Sequence, residues 1–517
     1  MKGTRGMSRT SWAPYLCGLL IALMMLWFAA FNRFPLFNED SKAYLQRPAM
    51  AMQAVFGPKF HSEWGDATAE RKVEGWQAGN DFHDAGKEPE KAPSAAPASQ
   101  ETGRGWLSGR SIYYGLVTYP VIWLTGVWGG LLLQSFLTGS ILALFWFRGL
   151  GQSSVKWCLL LGAFVAFGTS ASVFSAFFTP DYLSGLLIAG VTLLAIAWRD
   201  LRLIDRIFLI STATFAVLSH DSHLALAIAM LAAMLLLRFL TRRAPRPSVP
   251  ISAFVATGGV IAMGLAGAAL FAVMSVKATG YRPLRLPFLT AHVVDMDEAA
   301  DALKSICAKG AKFEACREAG RYPMSWIDFM FDRDPAVGVF SASDPARQRR
   351  LSDEQIGLVW ALVKERPLGV PLAFAGDGLR QLAAFRYVDL DQRIKEPFFT
   401  ANFPPHVLSG IEASRIWQTP QLLTWLSDIH GAIALVSLIA LIPLAIAIIR
   451  RPRMRDHALL PAGFLILAGL LSNAIICGVL ASPYDRFGAR TIWLLPWLAA
   501  MSWAISRQKP EKDAEEQ

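Results

Sequence analysis

Long uninterrupted apolar runs recur along this chain, and they limit its fold more than any other feature. About 20 apolar residues in helical form cross the roughly 30 Å hydrocarbon core of a bilayer. Inside that core each backbone N–H and C=O must be satisfied within the segment, so runs of this kind are helices. The runs assigned as spans are 12–31, 129–147, 156–178, 182–198, 205–219, 222–240, 251–275, 429–449, 458–480 and 489–506. Composition agrees: 53% of the residues are hydrophobic and only 17% are charged, a balance that soluble domains rarely combine. The 17 Trp and 32 Phe fit interfacial belts and core. The expectation is an all-α polytopic membrane protein with about ten transmembrane helices and a mainly helical extracytoplasmic domain.

Arginine sets the orientation. If the N-terminus lies in the cytoplasm, the short loops on that side carry Arg148 and Lys156, then Arg199, Arg202 and Arg206, then Arg238, Arg242, Arg243 and Arg246, and finally Arg450, Arg451, Arg453 and Arg455. Lys and Arg collect in cytoplasmic loops, so both chain ends are expected there. The net charge of +10 is then a membrane signature, and no nucleic-acid partner is expected. Lys2, Arg5 and Arg9 precede the first run, but Phe31-Asn32-Arg33 gives no small-residue cleavage site, so this run reads as an uncleaved first helix. The reading places the chain in a bacterial inner membrane with lipid as its surroundings.

The domains follow. Residues 1–31 are a cytoplasmic tail and the first helix. Residues 32–128 form an extracytoplasmic loop with an acidic start, a polar insert over 65–105 whose composition cannot bury enough surface to order itself, and a short interfacial helix. Residues 129–275 hold helices two to seven, 276–428 the extracytoplasmic domain, and 429–517 the last three helices and a cytoplasmic tail. Within 276–428, helices are signalled over 297–307, by a capping box at Ser352-Asp353-Glu354-Gln355 and over 367–385. Cys17, Cys158 and Cys477 lie in apolar runs and read as packing residues. Cys307 and Cys316 share the polar segment and are disulfide candidates if it faces an oxidising compartment.

Polar residues gather on the side opposite the arginine loops. Asn38-Glu39-Asp40 and Tyr44 follow the first span. Thr179-Pro180-Asp181 precedes the fourth, and Ser219-His220-Asp221-Ser222-His223 turns from the fifth to the sixth. Pro483-Tyr484-Asp485-Arg486-Phe487-Gly488-Ala489-Arg490 joins the last two. Ionisable groups at a bilayer boundary are costly unless paired or facing water. Each group also has a plainer reading: Asn38 as a cap with acids in the first turn, Thr179-Pro180-Asp181 as a helix start, the His turn as a solvated connection, and Arg486 and Arg490 as snorkelling side chains. Together they can hold a phosphate and move a proton.

This order of features resembles the GT-C superfamily of polytopic glycosyltransferases. It is nearest to the dolichyl-phosphate-mannose protein mannosyltransferase and lipid A aminoarabinose transferase group. The acidic pair with a following Tyr is Glu39-Asp40 and Tyr44. The Pro-Leu-Tyr-Tyr-like helix start is Ser111-Ile112-Tyr113-Tyr114, with Ser for Pro. Gln134 stands near the family's second-span Arg, and the Ser219–His223 turn stands where a Lys-containing turn is common. Arg490 and Trp493-Leu494-Leu495-Pro496 are similar to the family's ending. The resemblance covers 30–240 and 457–506.

It implies transfer of a sugar from a polyprenyl-phosphate donor to a glycan, lipid or protein acceptor, by one inverting displacement. Asp40 would be the general base, with Glu39 as second choice or orienting partner. Tyr44, Asp181, His220, Asp221, His223, Arg486 and Arg490 would bind substrate and lipid phosphate. No cofactor is assigned. A divalent metal on Asp40, Asp181 or Asp221 stays open. Two other readings stand beside this one: an O-antigen polymerase or ligase, which would use the arginines of 276–428, and a non-catalytic transporter or assembly protein.

Overall fold

In the computed structural model, the described residues are 12–57, 60, 62–64, 112–243, 249–390, 403–450 and 458–507. The insert expected at 65–105, Ser111, Arg246, Arg451, Arg453 and Arg455 lie outside them. Among the described residues the fold is helical, with one isolated parallel bridge between Leu36 and Phe177 and no named strand.

The chain begins with α1 (Ala13–Met25) and α2 (Trp27–Asn32), which together make one apolar rod closed by Arg33 in the left-handed region. Next come α3 (Glu39–Phe56) and α4 (Ile112–Leu144), the latter interrupted at Gly126, where φ is 73° and ψ is 179°. The interfacial run and the second span therefore meet at a glycine kink. A π turn, Phe145–Gly149, ends this element. Then follow α5 (Val155–Gly168), α6 (Ala171–Ser175), α7 (Tyr182–Ala197), α8 (Leu203–Ser219), α9 (Asp221–Leu240) and α10 (Ile251–Thr279). Small residues let α1 and α4 touch through their backbones: a Cβ on Gly139 would sit 2.2 Å from the Gly18 carbonyl oxygen. Nearly every residue of α7 is buried, as befits a helix that is apolar all round.

The second part has its own core. It is built from α11 (Phe288–Asp295), α12 (Asp297–Ala308), a 3₁₀ turn over Glu314–Arg321, α13 (Trp326–Phe331), α14 (Pro345–Glu365) and α15 (Gly369–Ala383). Val293, Leu303, Phe329, Leu351, Leu358 and Val370 meet in that core. A Cys307–Cys316 disulfide closes α12 onto the 3₁₀ turn. The helix signalled at Ser352 starts earlier, at Pro345. Asp344 Oδ1 accepts from the N–H groups of Ala346 and Arg347, each at 2.9 Å. Ser352 is buried inside the helix, and Glu354 instead accepts from the backbone of Glu314 and Ala315.

From Tyr387 onward the chain packs back into the main core through Leu390, Phe403, Val407 and Ile411. It continues through α16 (Pro405–Glu412), α17 (Arg415–Gln418), α18 (Gln421–Arg450), α19 (Leu459–Leu480), α20 (Asp485–Ile492) and α21 (Leu494–Arg507).

The expected count of ten spans is not met. Among the described residues 6 helices are long and apolar enough to cross a membrane: Ala13–Asn32, Ile112–Gly149, Asp221–Leu240, Ile251–Thr279, Gln421–Ala447 and Leu459–Leu480. The other predicted spans are shorter helices for local reasons. The run at 156–178 breaks after Gly168, where Thr169 is extended and Ser170 donates to the Ala489 carbonyl at 2.7 Å. The run at 489–506 breaks at Trp493, whose Nε1 donates to the Arg490 carbonyl at 3.1 Å. Helix α8 has 17 residues and carries Asp205 and Arg206, and α7 has 16.

Contacts sort the connections into two ends. At one, Asp205 meets Tyr15 at 3.0 Å, Arg202 at 3.0 Å and Arg148 at 3.6 Å. At the other lie residues 36–41, 176–181, 219–223 and 482–490.

Candidate functional site

The acidic stretch is fixed by backbone geometry before any charge is considered. Asn38 caps α3: its Oδ1 accepts from Ser41 N–H at 3.0 Å, and Ser41 Oγ accepts from Asn38 N–H at 3.0 Å. Ser41 Oγ also reaches the Phe178 carbonyl at 2.7 Å. Leu36 N–H donates to Ala176 O at 2.9 Å, and Phe178 N–H donates to Leu36 O at 3.2 Å. The segment bearing Asp40 is thereby laid beside the one leading to Asp181. Glu39 opens α3, and its side chain lies outside the described residues.

Helix α20 supplies the cations. Arg490 Nη1 donates to Asp181 Oδ1 at 2.7 Å, with side-chain exposures of 1% and 5%. Its Nη2 reaches Asn473 Oδ1 at 3.1 Å, Cys477 Sγ at 3.2 Å and Ser222 Oγ at 3.4 Å. Arg486, one helical turn earlier, places Nε 3.4 Å from Asp181 Oδ2 and Nη2 3.9 Å from Asp40 Oδ2. Thr179 Oγ1 donates to Asp181 Oδ2 at 3.2 Å. The result is a chain of alternating charge, Asp40, Arg486, Asp181, Arg490, that grows more buried along its length. Asp40 is 29% exposed and Arg486 17%.

Burial alone would push the Asp181 carboxyl up, but Arg486 and Arg490 override it and hold the group well below the usual carboxylate range. Burial likewise works against charge on Arg486, and Asp181, Asp389 and Asp40 more than restore it. His220 is held below the usual imidazole range by burial and by Arg490, so it is neutral at pH 7. Its Nδ1 accepts from Ser222 N–H at 3.2 Å and lies 2.8 Å from Ser222 Oγ. Ser222 thus joins His220 to Arg490. His223, fully buried with its ring 5.2 Å from that of His220, donates Nδ1–H to the Ala216 carbonyl at 2.9 Å. Its Nε2 is buried with no hydrogen-bond partner among the described residues.

The expected site residues therefore divide. Asp40, Asp181, Arg486, Arg490, His220 and His223 come together at one end of the bundle. Asp221 is exposed at the start of α9. Tyr44 is buried and packs on Tyr114 with centroids 5.4 Å apart, so it lies beneath the acidic turn. Tyr114 OH donates to Gln134 Oε1 at 2.6 Å, and Gln134 Nε2 donates to the Ser175 carbonyl at 2.9 Å. Gln134 thus braces the segment that leads from Ser175 to the Leu36–Phe177 bridge. Sequence reasoning missed Asn473, gave Ser222 no role beyond its place in the His turn, and treated Cys477 as packing although its sulfur meets Arg490. Asn473, a polar side chain inside an apolar run, was the available signal.

Among the described residues no group of three or more His, Cys, Asp or Glu is gathered as a metal ion would require. Between Asp40 and Asp181 the position of a cation is taken by the Arg486 guanidinium. Comparison with family models, curated proteins and solved structures found no match.

Proposed function

We propose that the chain is an integral-membrane glycosyltransferase that moves a sugar from a polyprenyl-phosphate donor to a glycan, lipid or protein acceptor at the extracytoplasmic face of a bacterial inner membrane. The observation that carries this reading is one partly exposed carboxylate, Asp40, beside one partly exposed guanidinium, Arg486, over a sealed Asp181–Arg490 pair. A nucleophile that must lose a proton needs such a carboxylate, and general-base assistance is worth about 10²–10⁴-fold. A departing lipid phosphate needs a fixed cation.

The two roles are coupled. The acceptor lone pair attacks the anomeric carbon, the bond from that carbon to the phosphate oxygen breaks, and its electrons stay on the phosphate. The acceptor proton passes to Asp40. As Asp40 becomes neutral it loosens its hold on Arg486, whose charge then meets the phosphate as that group becomes more negative. Asp181 and Arg490 position Arg486 and do not touch substrate.

Beside the 6 helices long enough to cross, the reading lets short apolar helices such as Tyr182–Ala197 lie within the bundle. A helix of 16 residues is about 24 Å long, and short helices inside a bundle can have their ends satisfied by neighbours. The disulfide favours an oxidising side for the second part. The polymerase or ligase alternative needs free arginines in that part. Arg317, Arg347 and Arg350 are engaged by Glu314, Arg321 by Glu318, Arg380 by Asp377 and Arg386 by Asp428.

The test is sugar transfer by protein in nanodiscs supplied with polyprenyl-phosphate sugars. Asp40→Asn lowers the rate by about 10²-fold or more with the melting temperature unchanged. A variant that transfers at the wild-type rate refutes the assignment.

A further inference from the structure

The second part of the molecule turns an apolar face outward. Along α14, α15 and the turn between them, Trp360, Leu368, Leu372 and Leu379 are between 62% and 74% exposed. Soluble surfaces rarely expose a contiguous apolar patch of this kind without a partner. Beside it runs a groove of about 710 Å³ lined by Ile356, Phe374 and Leu382 on one side and by Leu471, Ile475 and Leu480 of α19 on the other.

The α19 wall identifies the occupant. Leu467, Leu471 and Ile475 recur every four residues on the uncovered flank of a helix with mean hydropathy 2.2. That stripe faces hydrocarbon in any bilayer containing α19. The groove is the continuation of the same stripe, so whatever covers its lower part covers the groove. The height of α15 against α19 is fixed. Gly478 lets the helices cross so closely that a Cβ there would lie 2.7 Å from the Asp377 carbonyl. His292 ties the two parts, meeting Val479 O at 3.2 Å and Asp377 Oδ2 at 2.7 Å. Exposed Arg380 and Lys364 border the patch, where long cationic side chains reach headgroups. Trp360 has the amphipathic ring favoured at an interface.

We infer that the α14–α15 face is a membrane-contact surface, sunk among the hydrocarbon chains of the leaflet at that end of the bundle, with lipid tails filling the groove against α19. The domain is then a partly immersed wedge and not a cap held above the bilayer. This does not depend on the sugar chemistry proposed above.

The experiment places an environment-sensitive fluorophore on Trp360→Cys, Leu372→Cys and, as a reference, Lys312→Cys, each reconstituted at one copy per nanodisc. At 360 and 372 the emission is blue-shifted, and lipid-borne doxyl groups quench it several-fold more than aqueous iodide does. At 312 the order reverses. Iodide quenching at 360 and 372 equal to that at 312 overturns the inference. So does a blue shift that appears only when two copies share a disc, which would make the occupant a second copy of the chain. Melting temperatures equal to wild type show that each variant is folded.

Discussion

At the residue scale, Asp181 and Arg490 hold the polar end of the bundle together. Removing one partner of a buried ion pair leaves an uncompensated charge and costs about 3–5 kcal/mol. Asp181→Asn is expected to lower stability by that order in detergent or nanodiscs, whereas Asp221→Asn, at an exposed position, is expected to leave it nearly unchanged. The pH dependence has a definite sign. The Asp181 carboxyl is lowered in the folded protein, so its contribution is complete above the ordinary carboxylate value of about 3.9 and is lost as pH falls below that, through the folded value. Melting temperature against pH should therefore show a steeper acid limb in wild type than in Asp181→Asn; parallel limbs would contradict the pairing. The sequence named ionisable residues that the fold brings to one end, Asp40, Asp181, Arg486 and Arg490 among them. It did not disclose their order of burial, because pairing across hundreds of residues depends on how the helices pack.

At the element scale, apolar length was legible and local breaks were not. Ser170 and Trp493 each interrupt an apolar run through a hydrogen bond to the 489–490 backbone, and no window of hydropathy registers that. The start of α14 was misplaced because Ser352-Asp353-Glu354-Gln355 fits a capping pattern while Asp344, eight residues before Ser352, supplies the real cap. The break in α4 falls at Gly126, three residues before the expected start of the second span at 129. Close helix contact yields a direct prediction. Gly139→Ala drives a methyl group into the Gly18 backbone and should cost about 1–3 kcal/mol, read as a lower melting temperature. Gly259→Ala, where nothing lies within 4 Å, should not.

At the scale of the molecule, the arginine-rich connections and the acid-and-histidine turns do fall at opposite ends, as Arg148, Arg202 and Asp205 at one and Asp40, Asp181 and Arg486 at the other show. The proposal that the arginine-rich end faces the cell interior, made from the charge bias, is open to a direct test. A membrane-impermeant maleimide applied to intact spheroplasts should label Lys312→Cys and leave Ser153→Cys untouched until the cells are lysed; the opposite pattern would invert the topology. Sequence reasoning also missed the apolar face of α14 and α15, because Trp360 and Leu372 look like core residues until the packing leaves them outside. One consequence reaches back to biosynthesis. Asp181 and Arg490 are 309 positions apart, so for most of the synthesis that follows Asp181 the carboxylate already inserted has no Arg490 to pair with. A nascent chain halted before Arg486 must carry that lone acid into the bilayer boundary or keep its segment outside, which makes the final stretch of translation the step that locks the earlier helices in place.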